Sequence, residues 1–219
     1  INIVAVSARN INKKRKFKIN KNIFFKNPLD IFKSKKVDIL FEVIGLQSGI
    51  SKKIVETALT KKIHVITPNK ALISKHGDYL AKLAEDNNVN LEFEASVAGG
   101  IPILRSIKEG LATNKISKVY GILNGTSNYI LSEMEKVNDN FINVLKKAQK
   151  LGYAEPGNPK LDLNGLDAFA KVRILSALAF NTKISKHKCL MQGIEKIELK
   201  DIKIANQLNF RIKLLGISK

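Results

Sequence analysis

The order of apolar segments between residues 37 and 93 constrains this chain more than any other feature. VDILFEVIG at 37–45 reads as a continuous apolar strand interrupted by Asp38 and Glu42. Residues 51–62 follow with Ile54, Val55, Ala58 and Leu59 at helical spacing; 64–67 reads as a strand, 71–86 as a helix and 89–93 as a strand. Parallel strands need a long crossover, and a helix supplies it, so this alternation predicts a parallel sheet covered by helices. In such sheets ligands sit beyond the carboxyl ends of the strands. Three places qualify: Ser7 and Arg9 after an apolar strand at 1–8, Gly45 to Gly49, and Pro68, Asn69 and Lys70.

A dinucleotide-binding half opens with strand, GxGxxG and helix, and its second strand ends in an acid that holds the ribose hydroxyls. No GxGxxG stands in this sequence. If 1–8 is the second strand of that unit, the fingerprint and first helix are expected to precede residue 1. The strand ends in Ser7, Ala8 and Arg9 rather than in a carboxylate. Serine and arginine accept a 2′-phosphate that an acid would repel, which tilts the expected cofactor from NAD toward NADP. The alternative is a solvent-facing arginine in a loop. A polar stretch then runs to about residue 22, followed by 23–25 and a short helix at 28–32.

From Ala95 the pattern changes. SVAGGIPI at 96–103 is a loop of small residues leading through Pro102 into a helix with Ile103, Leu104, Ile107 and Leu111. A strand at 116–123 runs into Asn124, Gly125 and Thr126, and Thr126 or Ser127 is expected to cap a helix ending near Lys136. The exposed amides at that start suit an anionic group. A helix at 140–151 buries Phe141, Val144, Leu145 and Ala148 and stops at Gly152. Residues 191–199 alternate like a strand, 201–209 read as a helix and 210–217 as a strand.

Between these lies GYAEPGNPKLDLNGLDAFAKVRILSALAF at 152–180. Its second half is helical, with nearly every position apolar or small and little face to spare for water. Lys171 sits in the middle, and Asp167 lies four residues earlier on the same face, where an ion pair offsets the cost of burying an ammonium. Glu155 and Asp162 precede it among Gly and Pro residues, so several carboxylates converge on one basic group. That composition builds a polar pocket.

This segment, GILNGTSNYIL at 121–131 and TPNKAL at 67–72 resemble, in the same order, three motifs of the homoserine dehydrogenase family. The resemblance implies an α/β fold: an incomplete Rossmann-type parallel sheet over 1–95, followed by an α+β substrate-binding, catalytic and dimerisation domain over 96–219. It implies hydride transfer between L-homoserine and NAD(P), giving L-aspartate 4-semialdehyde, or the reverse, in amino-acid biosynthesis. Lys171 would be the general base, Asp167 its orienting partner, and Lys70 a second catalytic lysine. Glu155, with Asp162 assisting, would bind the substrate ammonium, while Gly125 and Thr126 would lie near the nicotinamide or the substrate carboxylate. Ser7, Arg9, Gly45, Asn69 and Lys70 are the expected cofactor-binding set. Family members are similar in holding Na+ or K+ through backbone oxygens at positions matching Glu94, Val97, Gly99 and Ile101. One departure is clear: where the family shows Glu, any residue, Asp, Pro, this chain has Glu155, Pro156, Gly157, Asn158 and Pro159, one residue longer and without the aspartate.

Composition limits the rivals, which are a related oxidoreductase with another substrate, an inactive fragment and a nucleic-acid binder. Apolar content of 44% argues against disorder. No stretch reaches bilayer length and no leader is evident, so a cytoplasmic protein without membrane partners is expected. A single cysteine, Cys189, forms no internal disulfide, and His64, His76 and His187 lack metal-ligand spacing. The net charge of +19 comes mainly from lysines spread along the whole chain, with one concentrated patch at Lys13, Lys14, Arg15 and Lys16. Nucleic-acid readers favour arginine, so no nucleic acid is expected; the family resemblance implies a small amino-acid substrate and a homodimer.

Overall fold

A computed structural model describes residues 1–157, 159–184 and 189–219; His187 and Asn158 of the 155–159 loop lie outside them. The chain divides into two compact units, Ile1–Ile101 and Pro102–Lys219.

In the first unit, β1 (Val6–Ser7) pairs in parallel with β2 (Phe24–Phe25). The strand expected over 1–8 is therefore short, with Ile1 and Ile3 exposed. A turn at Pro28–Asp30 runs into α1 (Ile31–Ser34). Then come β3 (Ile39–Phe41), α2 (Ile50–Thr60), β4 (His64–Ile66), α3 (Lys70–Asp86) and β5 (Leu91–Glu92). The three strands form one parallel sheet in the order β3-β4-β5, with Leu40 beside Val65 and Val65 beside Leu91. Burial follows the helical spacing: Ile54, Val55, Ala58 and Leu59 on α2 and Leu72, Ile73 and Leu80 on α3 are buried with Val65.

The continuous strand expected over 37–45 needs correction. Only Ile39–Phe41 is ladder-paired strand; after Glu42 the amides of Ile44 and Gly45 turn to the Glu42 side chain, so pairing stops. Phe41, Val43, Ile44 and Leu46 are exposed, and the apolar run is thus half a core strand and half a surface ledge.

The second unit opens with α4 (Ile103–Arg105), which widens into a π-helical turn at Ser106–Gly110. β6 (Val119–Gly121) precedes α5 (Gly125–Val137), α6 (Phe141–Lys150), α7 (Lys160–Leu163), α8 (Leu166–Ala179) and α9 (Leu199–Gln207). β7 (Gly216–Ser218) returns antiparallel to β6, with Tyr120 opposite Ile217. Ile130, Leu131, Met134, Val144, Ala148, Leu163, Ile194 and Ile202 make the core between the helices. α6 ends as its glycine demands: Gly152 takes φ +80° and the Tyr153 amide donates back to Ala148.

Two local expectations are corrected here. Residues 191–199 form no strand; Ile194 donates to the Leu163 carbonyl at 2.8 Å, and a turn brings Ile197 back to Ile194. Ile194 and Ile197 both face the core, and their three-residue spacing follows the turn rather than a strand's period of two. The cap of α5 is Asn124 rather than Thr126 or Ser127: its side-chain oxygen accepts from the Ser127 amide at 2.7 Å. Among the described residues no helix is long and apolar enough to cross a membrane, and no group of three His, Cys, Asp or Glu is placed to hold a metal.

Candidate active site

The second unit gathers four side chains from three elements. Asp167 and Lys171 lie one turn apart on α8, and Lys171 Nζ stands 2.7 Å from Asp167 Oδ2. The same amine donates to the Leu123 carbonyl at 2.8 Å. Asn124 Nδ2 donates to Asp167 Oδ2 at 2.9 Å and to Asp162 Oδ1, on α7, at 2.8 Å. A primary amide has two N–H groups and both are used, one for each carboxylate. Asp167 and Asn124 are buried, while Lys171 keeps 18% of its side chain exposed. The ion pair is mostly desolvated, a setting in which paired charges need such extra hydrogen bonds.

Local sequence explains why these groups meet. Asn124 takes extended backbone as the α5 cap, so its side-chain oxygen turns to the helix and its NH2 group is left for the carboxylates. Asp167 lies in the first turn of α8, where the helix dipole favours a carboxylate. Gly216 lets β7 lie against the segment whose carbonyl holds Lys171, because a Cβ there would stand 2.7 Å from Leu123 Cδ1 and 3.2 Å from Val172 Cβ.

Of the other expected substrate residues, Gly125 and Thr126 follow Asn124 directly in the first turn of α5. Ser127 Oγ donates to the Asp162 carbonyl at 2.7 Å, and Thr126 Oγ1 donates to the Tyr153 carbonyl at 2.7 Å. Tyr153 stacks on Tyr129 with ring centroids 4.3 Å apart. Gln149 Nε2 donates to the carbonyls of Glu155 and Gly157 at 3.1 and 2.8 Å, so the lengthened loop is tied to α6. Glu155 itself is exposed, and among the described residues its carboxylate makes no hydrogen bond or ion pair. Gly125 opens α5.

In the first unit, Lys70 is the first residue of α3 and Asn69 its cap, accepting from the Leu72 amide at 3.1 Å. Asn69 Nδ2 reaches the Leu46 carbonyl at 2.9 Å and Glu42 Oε2 at 3.3 Å. Gly45 takes φ +83°, which lets its amide fold back to Glu42 Oε1. Ser7 ends β1 and Arg9 is exposed beyond it. In the basic patch, the Arg15 guanidinium donates to the carbonyls of Asn10, Ile11 and Lys13, so that cation closes its own loop. Near the end of the unit, a turn at Glu94–Ser96 leads to Val97, Gly99 and Ile101, whose carbonyls meet no donor among the described residues. Ser96 Oγ is buried beside them without a hydrogen-bond partner. Gly99 and Ile101 are exposed, and the Glu94 carbonyl accepts from the Val97 amide at 3.3 Å.

Two residues with central places were not singled out from sequence. Asn124 carried a signal, since Asn just before a helix is a common cap. Glu42 carried another, an acid within an apolar run.

Comparisons with known proteins identify the family. Residues 1–94 match the family described as homoserine dehydrogenase, NAD binding domain, and residues 102–218 match the one described as homoserine dehydrogenase. The chain is similar to the homoserine dehydrogenase of Neisseria gonorrhoeae, 46% identical over 196 residues that cover 90% of this chain and 45% of that protein. It is 39% identical to that of Bacillus subtilis, covering 100% of this chain and 50% of the relative. The solved homoserine dehydrogenase from Thiobacillus denitrificans superposes with a TM-score of 0.85 at 41% identity, over 91% of this chain and 46% of that one. The chain thus spans about half the length of the curated relatives it matches. With a nucleotide-binding family match on the first unit and a match covering more than half of the chain on the unit that holds the Lys171 network, this chain belongs to the homoserine dehydrogenase family.

Proposed function

We propose that the chain carries out NAD(P)-dependent interconversion of L-homoserine and L-aspartate 4-semialdehyde, with Lys171 moving the proton. One observation carries this reading. An ammonium has three hydrogens; Asp167 and the Leu123 carbonyl take two, and among the described residues no acceptor meets the third. That hydrogen is left for a substrate oxygen.

Bound NAD(P) supplies the hydride acceptor or donor. In the oxidation, the C–H and O–H bonds of the carbinol break and a C=O bond forms. The hydride carries away the electron pair, and the hydroxyl proton passes to the amine. In the reduction the ammonium returns that proton to the oxygen as hydride reaches the carbonyl carbon. Asp167 keeps the amine in place throughout. Asp162 Oδ1 is fixed by Asn124, which leaves its other oxygen and the exposed Glu155 carboxylate for the substrate ammonium. The first amides of α5, at Gly125 and Thr126, suit the substrate carboxylate.

The 1–95 region takes the nucleotide share of this reading and 96–219 the substrate share. Ser7 and Arg9 are assigned to a 2′-phosphate, favouring NADP, with Gly45, Asn69 and Lys70 as further cofactor residues and Lys70 also a catalytic one. Glu94, Val97, Gly99 and Ile101 are assigned to Na+ or K+ as a structural ion. The exposed cross-strand pair Tyr120 and Ile217, with Ile122 and Leu215 near it, supports a homodimer through the β6–β7 sheet. A monomeric mass in sedimentation equilibrium would remove that assignment. We place the enzyme in the cytoplasm.

The test is NADP-dependent oxidation of L-homoserine, followed by NADPH absorbance, beside Lys171→Ala. Turnover that falls by about a hundredfold or more in the variant is expected. Equal turnover in both proteins would overturn the assignment of Lys171.

A further inference from the structure

Glu42 is only 1% exposed, yet it takes no part in the chemistry described above. A buried carboxylate is costly unless its oxygens are matched by donors, and here four donors converge on it. Oε1 accepts from the amides of Ile44 at 2.9 Å and Gly45 at 3.2 Å. Oε2 accepts from Thr67 Oγ1 at 2.6 Å and Asn69 Nδ2 at 3.3 Å. The first pair belongs to the loop after β3, the second to the turn after β4. Thr67 and Asn69 extend the link: the Asn69 amide donates to Thr67 Oγ1, and Asn69 Nδ2 donates to the Leu46 carbonyl. One side chain therefore fixes both loops at the carboxyl ends of adjacent parallel strands, where open α/β sheets bind ligands.

What this clasp holds has a definite character. On one side stands the exposed apolar ledge of Val43, Ile44 and Leu46, bent by Gly45 at positive φ. On the other stands Lys70, whose backbone follows directly from the anchored Asn69. An exposed apolar ledge tied to a turn that carries a lysine suits the ring and phosphate parts of a dinucleotide.

We propose that Glu42 is a positioning residue for the cofactor: a buried carboxylate that locks the 43–46 ledge and the 67–70 turn into one preformed binding edge. This rests on the NAD(P) reading above. Glutamine cannot replace it, because its NH2 group would face donors at one end of the site. Glutamate is required for its two acceptor ends.

The experiment compares the full chain with Glu42→Gln and with Val55→Ala, a buried α2 residue of the same unit that touches none of these bonds. NADPH affinity is read by fluorescence titration, and exchange of the Ile44 and Gly45 amides by hydrogen exchange. Glu42→Gln is expected to weaken NADPH binding about tenfold or more and to speed exchange at both amides by a similar factor. Val55→Ala is expected to lower stability while leaving NADPH affinity within about twofold in the folded range. Unchanged affinity in Glu42→Gln, or an equal loss in Val55→Ala, would overturn the positioning role. Failure of the unaltered chain to bind NADPH would instead overturn the cofactor reading beneath it, while faster exchange at Ile44 and Gly45 would still report the clasp.

Discussion

Replacing Asn124 separates its two jobs. Its oxygen caps α5, and its NH2 group holds Asp162 and Asp167 side by side. Asn124→Ala removes both. Losing a cap costs about 1 kcal/mol. Buried Asp167 loses one donor but keeps its ion pair with Lys171, which costs about 1 kcal/mol more, and partly exposed Asp162 about 0.5 kcal/mol because it can turn to water. The expected loss is about 2 to 3 kcal/mol in urea unfolding followed by circular dichroism. Asn124→Asp keeps the cap, since aspartate caps as well as asparagine. It places a third carboxylate where the amide stood 2.8 and 2.9 Å from two others. At an effective dielectric near ~20, like charges at that separation repel by about 6 kcal/mol per pair before relaxation. Asn124→Asp is therefore expected to be less stable than Asn124→Ala at neutral pH, despite its intact cap. Repulsion raises the folded-state carboxyl pKa above the unfolded value of about 4, so the deficit is full above that raised value and shrinks as pH falls toward about 4. If Asn124→Asp matches the unaltered protein at neutral pH, or its deficit does not shrink at about pH 5, the amide bridge does not hold the carboxylates as described.

Two further outcomes follow from local geometry. A Cβ on Gly193 would lie 2.3 Å from the Leu163 carbonyl oxygen and 2.5 Å from Asn164 Cα, both backbone, so Gly193→Ala is expected to cost about 3 kcal/mol in the same unfolding assay. A loss below about 1 kcal/mol would show that the 190–194 segment shifts freely. His76, 3.2 Å from Ser48 Oγ, is held below the usual histidine value by burial and by Lys52 and Lys75. The unfolded chain then binds more protons near the ordinary value of about 6.5, so this contribution is present above that pH and is lost as pH falls toward the lower folded value. His76→Gln is expected to flatten that part of the stability profile, and an unchanged slope would assign it to other groups.

Much of the molecule was legible in its sequence. Helical spacing on 51–62 fixed which residues of α2 are buried, because a helix facing a sheet must bury one stripe. The four-residue step from Asp167 to Lys171 dictated their ion pair for the same reason: one turn of helix brings them together whatever surrounds them. What pattern could not reveal was where polar side chains bond across distant segments. Asn124 reaches Asp167 across 43 positions and Glu42 reaches Asn69 across 27, and neither pairing has a period to read. The 37–45 run misled for a related reason: its apolar residues promise a strand, but a buried carboxylate diverts the amides that would have paired. The 191–199 segment misled because a turn, set by the Ile197 amide donating to Ile194, brings both isoleucines to one core without any strand. Sequence alone thus determined the local elements, the buried stripes and the Asp167–Lys171 pair, since these depend on neighbours along one helix or strand. Tertiary structure alone decided how Asn124 and Glu42 are used, because the cost of burying an unmatched polar group is settled only when the chain brings its partners together.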